Sequence, residues 1–288
     1  MKQNTNTSVE PSLHWTDHYA KYGFAVVEGL VGEAFIAEAV EEVKRLVGNG
    51  LPLDQWTTSN VPKNSYAMEG GANSPVLKRI YDEPKLRAAI DEMFGSPDEF
   101  NNDRRFQLFI KPYDPNAKRQ LTPKGHIDFV SSPVPVFGSG FMFQVSLVDK
   151  EPFGGNITIW PGTHKLVQKC VMNDPDWQYP KNWADIPEST PFEFVPKAGD
   201  VLFFHHLVAH EGNPCCTRMP RVSLHCQALR DEWLEEIDPA KTGLSPWERS
   251  LAWNGPYKTR RDEKKMMLDY YGSKASRDQK AKLAEQYR

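Results

Sequence analysis

Three short stretches of this sequence carry groups that could do chemistry, at spacings a β-strand would bring to one face. The first is His126-Ile127-Asp128, within PKGHIDFV. In an extended chain residues i and i+2 point the same way, so an imidazole and a carboxylate would stand side by side with an apolar residue turned into the core. Such a pair, joined by a distant histidine, makes the two-histidine, one-carboxylate face that holds non-haem iron and leaves positions open for co-substrate and O2. Alone the tripeptide carries little weight, because a chain of 288 residues with eight histidines produces it close to chance.

The second stretch runs from Ala198 to His210. A Gly199-Asp200 turn feeds the apolar run Val201–Phe204, and the strand ends in a stretch holding His205, His206 and His210. Any of the three could reach a metal; the plainer alternative is histidines packed in a core or at a surface. The third is Arg221-Val222-Ser223, again at i and i+2. A guanidinium presents a planar fork suited to a carboxylate, and the hydroxyl adds a donor. Inside a barrel the pair would bind the far carboxylate of a dicarboxylic acid; the plainer alternative is an ion pair on a strand edge. The three stretches weigh more together, since they follow one another in the order HxD, histidine, Arg-x-Ser. Other signatures are missing: there is no P-loop, HExxH or GxSxG. Gly138-Ser139-Gly140 runs into Phe141-Met142-Phe143, so it reads as a turn rather than a dinucleotide fingerprint.

The elements that must position these groups are legible in the pattern. After a polar start, a β-branched run follows Gly23. Ile36, Val40, Val43 and Val47 then recur at helical spacing with acids early and Lys44-Arg45 late, which predicts an amphipathic helix over Glu33–Val47. Residues 50–75 read as a long loop. Ser74-Pro75 reads as a helix start, and that helix runs on to Phe94 with a break at Pro84. From Phe106 the texture changes to short apolar or alternating runs: 106–111, 126–130, 140–147, 155–160, 191–195, 201–205 and 221–229. Strands so spaced predict a sandwich or barrel. An insertion over 165–189 carries Trp177, Tyr179 and Trp183; with Trp56 and Tyr66 of the long loop these could wall a substrate site or simply pack their loops. We therefore expect one domain over 1–288: N-terminal helices and a lid loop (1–105), a β-core (106–229), and a helical extension (230–288).

Composition limits the function classes. With 39% apolar and 25% charged residues the chain reads as an ordinary globular protein. A net charge of −3 gives no general attraction to nucleic acid or anionic membranes. No apolar run approaches the roughly 18 residues a span requires, and the first 15 residues lack the apolar centre of a signal peptide. Four cysteines without a CxxC pair fit reduced thiols in a cytoplasmic protein. Nothing in the sequence specifies an oligomeric state.

The motif set resembles the phytanoyl-CoA dioxygenase-like branch of the iron(II)/2-oxoglutarate-dependent oxygenases. The resemblance covers roughly residues 19–230. It includes Tyr22-Gly23-Phe24 and the helix that follows, Ile159-Trp160-Pro161-Gly162-Thr163-His164, and Gly199-Asp200 followed by His210, Asn213 and Arg221-Val222-Ser223. Ile157 stands where many members have Thr. The resemblance implies a mainly β protein with flanking helices around a double-stranded β-helix (jelly-roll, cupin-like) core. It implies Fe(II) held by His126, Asp128 and His210, with 2-oxoglutarate and O2 as co-substrates. It gives Arg221 the far carboxylate of 2-oxoglutarate with help from Ser223, and places Gln144 on a strand whose inward residues touch the co-substrate. His164 becomes structural or site-lining, and His205 and His206 become packing or supporting groups. Related halogenases lack the carboxylate, so Asp128 points to hydroxylation or another oxidation. The implied reaction is oxidation of an unactivated C–H bond of a small-molecule substrate, with release of succinate and CO2. Two rivals are a cupin-like metalloenzyme that does not use 2-oxoglutarate and a non-catalytic jelly-roll binding protein. Arg221-x-Ser223 argues against the first, and the intact ligand set against the second.

Overall fold

The computed structural model describes residues 13–61, 73–97, 100, 106–123, 125–128, 140–173, 190–230 and 242–251. Tyr66, Trp177, Tyr179, Trp183, the turn at 138–139 and the basic segment from 258 lie outside them. In chain order come α1 (Trp15–Tyr22), β1 (Phe24–Val27), α2 (Glu33–Val47), α3 (Pro75–Lys78), α4 (Pro84–Phe94), β2 (Phe106–Lys111), β3 (Gly140–Ser146) and β4 (Ile157–Trp160). They are followed by α5 (Thr163–Asn173), β5 (Phe192–Glu193), β6 (Val201–Phe204), β7 (Ala209–Gly212), β8 (Arg221–Leu229) and α6 (Pro246–Leu251).

Two antiparallel sheets form the core. The larger has the order β1-β6-β3-β8-β2 and the smaller β5-β4-β7. Alternation decides what each face of the large sheet meets. One face presents Phe141, Phe143, Val145, Phe203, Leu224 and Ala228, which pack in one cluster with Tyr19, Val43, Ile90, Phe94 and Trp247 from the helices. The other face presents Phe24, Met142, Leu202 and Phe204, which meet Ile157, Ile159, Phe194 and Val208 across the sandwich. Toward β8 this inner face turns polar: Gln144, Ser146, Arg221 and Ser223 are all buried there. Both faces are covered, so β3, β4 and β6 are buried at every position.

α2, α3 and α4 form where the pattern predicts helix, whereas α1 and α5 fall on stretches read as a polar start and as a turn leading into an insertion. α2 spans Glu33–Val47, ends on left-handed Gly48, and buries Phe35, Ile36, Ala39 and Val43. Its last-turn Lys44 and Arg45 oppose the negative end of the helix dipole. Ser74 caps α3, its hydroxyl accepting the Leu77 N–H, and Pro84 opens α4 as a new helix. Trp56 is fully buried and donates its indole N–H to the Leu51 carbonyl, so of its two sequence readings it takes the packing one.

Three features differ from the sequence reading. β1, from the N-terminal part, joins the large sheet by pairing with β6. Residues 126–128 form no regular strand; His126 makes a single bridge to His210. Among the described residues the segment is held by reciprocal backbone bonds of 2.9 Å with His210 and a 3.3 Å bond from the Asp128 N–H to the His206 carbonyl. Finally, His210 does not end the Gly199-Asp200 strand. A turn closed by the Val208 N–H on the His205 carbonyl separates β6 from β7, and the two strands belong to different sheets. Asp200 is a structural group: its carboxylate accepts the Gly29 and Lys197 N–H groups at 2.8 and 2.7 Å.

Candidate metal centre and anion pocket

His126 and His210 are direct cross-strand partners, so their side chains leave the backbone on the same side, with ring centroids 4.6 Å apart. Each ring has its Nδ1 committed. That of His210 donates to the Val208 carbonyl at 3.0 Å, and that of His126 donates to the Glu211 carboxylate at 3.1 Å. With Nδ1 committed, the neutral form of each ring keeps Nε2 as the atom available to a metal, and that atom faces Asp128, whose Oδ1 lies 3.7 Å from His126 Nε2 and 3.6 Å from His210 Nε2. Two ligand atoms each about 2.1 Å from one ion sit at most about 4.2 Å apart, so these separations suit a shared metal. All three ligand atoms fall within 4.8 Å of one another, and no other such group occurs among the described residues. The centre is graded in exposure: His210 is buried, while His126 and Asp128 are partly open.

Charge inside this cluster is interdependent. The His126 imidazole is pushed up to about 9, first by the Asp128 carboxylate beside it and then by its hydrogen bond to Glu211, against desolvation. Desolvation pushes the Asp128 carboxyl up, but the two imidazoles facing it, His210 and His126, prevail and hold it well below the usual carboxylate range. Metal binding at neutral pH therefore releases a proton from His126.

Arg221, Ser223 and His225 form one stripe on the inner face of β8. Arg221 is 3% exposed, and its guanidinium lies over the Phe109 ring. A Cβ on Gly212 would stand 3.3 Å from both Nη1 and Nη2, so the glycine two residues after His210 leaves the clearance the guanidinium occupies. Ser223 Oγ and His225 Nε2 are buried without a hydrogen-bond partner. An orphaned buried hydroxyl costs roughly 1–3 kcal/mol unless something comes to it, and these two line the face beside Arg221. Gln144, also buried, is the direct cross-strand partner of His225, and Ser146 that of Ser223. The structure thus brings His126, Asp128 and His210 together, sets Arg221 and Ser223 on the facing wall, and places Gln144 one strand further over.

Three further histidines are packing groups. His164, His205 and His206 stack in series at 5.2 and 4.5 Å, each at most 7% exposed. A Cβ on Gly23 would stand 2.5 Å from His164 Nδ1, so this glycine, with φ of 79°, lets α5 close on β1. Burial holds His164 down at about 3, His206 at about 4, and His205 well below the ordinary histidine value. Below pH 6.5 the unfolded chain takes up protons that these three refuse in the fold, so stability falls as pH drops from about 6.5 to about 4. The expected slope is about 1.4 kcal/mol per pH unit for each group. His126 acts in the opposite sense: its raised value adds stability below 6.5 that is lost as pH rises through about 9. The three buried imidazoles outweigh it. Urea midpoints at pH 7.5, 6 and 5 should decline steeply, and a flat profile would show that the trio is charged in the fold.

Sequence reasoning missed three residues here. His225 could have been found, lying four residues from Arg221 on the same strand face. Glu211 and Gly212 gave no such signal.

A phytanoyl-CoA dioxygenase (PhyH) family model matches residues 19–223. Among solved structures, the chain is similar to SnoN, a non-heme alpha ketoglutarate dependent epimerase from nogalamycin biosynthesis. The identity is 20% over 86% of this chain and 95% of that one, with a TM-score of 0.52. It is similar to ThoJ, a non-heme monooxygenase, at 16% identity over 96% and 100%, TM-score 0.52. It also resembles EctD from S. alaskensis with bound Fe, at 18% identity over 75% of each chain, TM-score 0.51. At these identities the likeness is one of fold, and it agrees with a jelly-roll core. No curated protein matches the chain.

Proposed function

The chain belongs to the phytanoyl-CoA dioxygenase family of iron(II)- and 2-oxoglutarate-dependent dioxygenases, and from that premise we propose that it oxidises an unactivated C–H bond of a small-molecule metabolite. Hydroxylation with release of succinate and CO2 is the simplest outcome. His126, Asp128 and His210 hold the iron, Arg221 and Ser223 take the far carboxylate of 2-oxoglutarate, and Gln144 lines the co-substrate's wall. The observation that carries this reading is the pairing of a three-ligand cluster with a buried guanidinium seated over Gly212. Both halves fit their occupants. The cluster offers two neutral nitrogens and one carboxylate, a set suited to iron(II). The facing wall offers a guanidinium and an orphaned hydroxyl, which suit a carboxylate. A small-molecule substrate is supported by SnoN, crystallised with Fe3+, alpha ketoglutarate and nogalamycin RO.

Iron(II), when bound, supplies the O2 chemistry. The chain's own residues do the rest. Nδ1 bonds fix both imidazoles, Arg221 would hold the far carboxylate of the keto acid, and Phe204, packed edge-on against the His210 ring, backs the buried side of the site together with Ile159 and Val208. Nothing here needs a protein acid or base.

The test is anaerobic difference absorption of the full chain with iron(II) and then 2-oxoglutarate. A weak visible band that needs both additions is the expected result. An iron-loaded, folded protein with no such band would sink the 2-oxoglutarate assignment and bring forward a metalloenzyme of another kind. A chain that binds no iron would favour the binding-protein reading.

A further inference from the structure

We propose that Glu211 is a positioning residue for the metal centre, and that it sets the tautomer and angle of His126. This inference rests on the iron reading above. The two imidazoles are fixed by different means. The Nδ1 of His210 is held by the carbonyl of Val208, two residues back on its own chain, so its orientation follows from the local backbone. The Nδ1 of His126 is held by a side chain, Glu211, 85 residues away. Without that carboxylate the His126 ring is free to rotate or to carry its proton on Nε2, the atom that must face the ion.

Glu211 is itself braced. Its Oε1 accepts the Gly212 N–H at 2.9 Å, which turns Oε2 toward His126. Its backbone is locked in register opposite Thr158 of β4. Strand alternation sends the Glu211 side chain away from the side His210 takes, and the carboxylate reaches His126 around the edge of β7, where residues 126–128 lie alongside. A solvated surface ion pair is the alternative, since Glu211 is one-third exposed. Its partner, however, is a metal ligand rather than a free basic group. Three consecutive residues of β7 thereby serve one centre: His210 as ligand, Glu211 as the brace of the other imidazole, and Gly212 as clearance for Arg221.

A carboxylate bonded to a ligating imidazole also makes the ring a stronger donor, and removing such partners costs about 10- to 100-fold in metal affinity. The experiment measures iron(II) affinity anaerobically against a competing chelator for the parent, Glu211→Gln and Glu211→Ala, beside the melting temperature of each metal-free protein. Glu211→Ala should weaken binding 10- to 100-fold. Glu211→Gln, which keeps an acceptor oxygen but no charge, should fall between it and the parent while melting with the parent. Melting temperatures that drop while affinity stays within twofold would make Glu211 merely structural and overturn the proposal. Unchanged affinity and melting would overturn it equally. A parent that takes up no iron(II) overturns the iron reading itself, and this proposal with it, so the two failures are distinguishable.

Discussion

Alanine at position 128 should leave a folded protein that no longer retains iron(II) and releases no succinate. Asp128 is the single anionic group of the ligand set, and its Oδ1 sits within 3.7 Å of both ligating nitrogens. Removing it leaves two neutral imidazoles and no protein charge to offset that of the ion they would hold. Loss of a mere supporting group costs up to about 100-fold in affinity, so loss of this ligand should exceed that. The fold should survive. Asp128 is partly exposed, and its backbone anchor, the bond to the His206 carbonyl, does not involve the side chain. Chelator competition, the 2-oxoglutarate-dependent band and a melting curve on the same preparation check the three parts. Parent-like iron affinity in Asp128→Ala would remove this carboxylate from the site.

Arg221→Ala should separate the two halves of the site, raising the 2-oxoglutarate concentration needed for half-maximal turnover while leaving iron(II) affinity unchanged. Truncating one partner of a buried, hydrogen-bonded charge pair costs about 2–5 kcal/mol, roughly 30- to several-thousand-fold. Lysine should recover only part of this, because a point charge cannot reproduce the planar fork. The neighbouring glycine offers an independent check. In Gly212→Ala the new Cβ meets the guanidinium at 3.3 Å, a contact a flexible side chain relieves by a small shift. Gly212→Val adds two methyl groups there and should approach the effect of losing Arg221. Ser223→Ala removes one hydroxyl and should cost about 1 kcal/mol, about fivefold. Succinate release against 2-oxoglutarate concentration gives the value for each of the five variants. An unchanged requirement in Arg221→Ala would overturn its assignment to the far carboxylate.

Much of this protein is legible in the chain alone. The limits of α2 and β8 follow from local burial, because a period of 3.6 or of 2 is written by residues a few positions apart. The order HxD, histidine, Arg-x-Ser is likewise a local matter, and so is the pairing of Arg221 with Ser223 on one strand face. The residues left three histidines open after Phe204. Only the tertiary structure separates them: a turn at His205–Val208 sends His205 and His206 into a stack with His164 and starts a new strand, in another sheet, for His210. The same holds for β1, whose partner β6 lies far along the chain, and for the bond of His126 to Glu211 across 85 residues. A periodic pattern says which face of an element is buried. It does not say which sheet the element joins or what stands opposite, because those are fixed by burial shared between distant segments. That is why the HxD and Arg-x-Ser pairs stand out in the chain, while Glu211 and the clearance at Gly212 emerged only when β7, β8 and residues 126–128 were packed together.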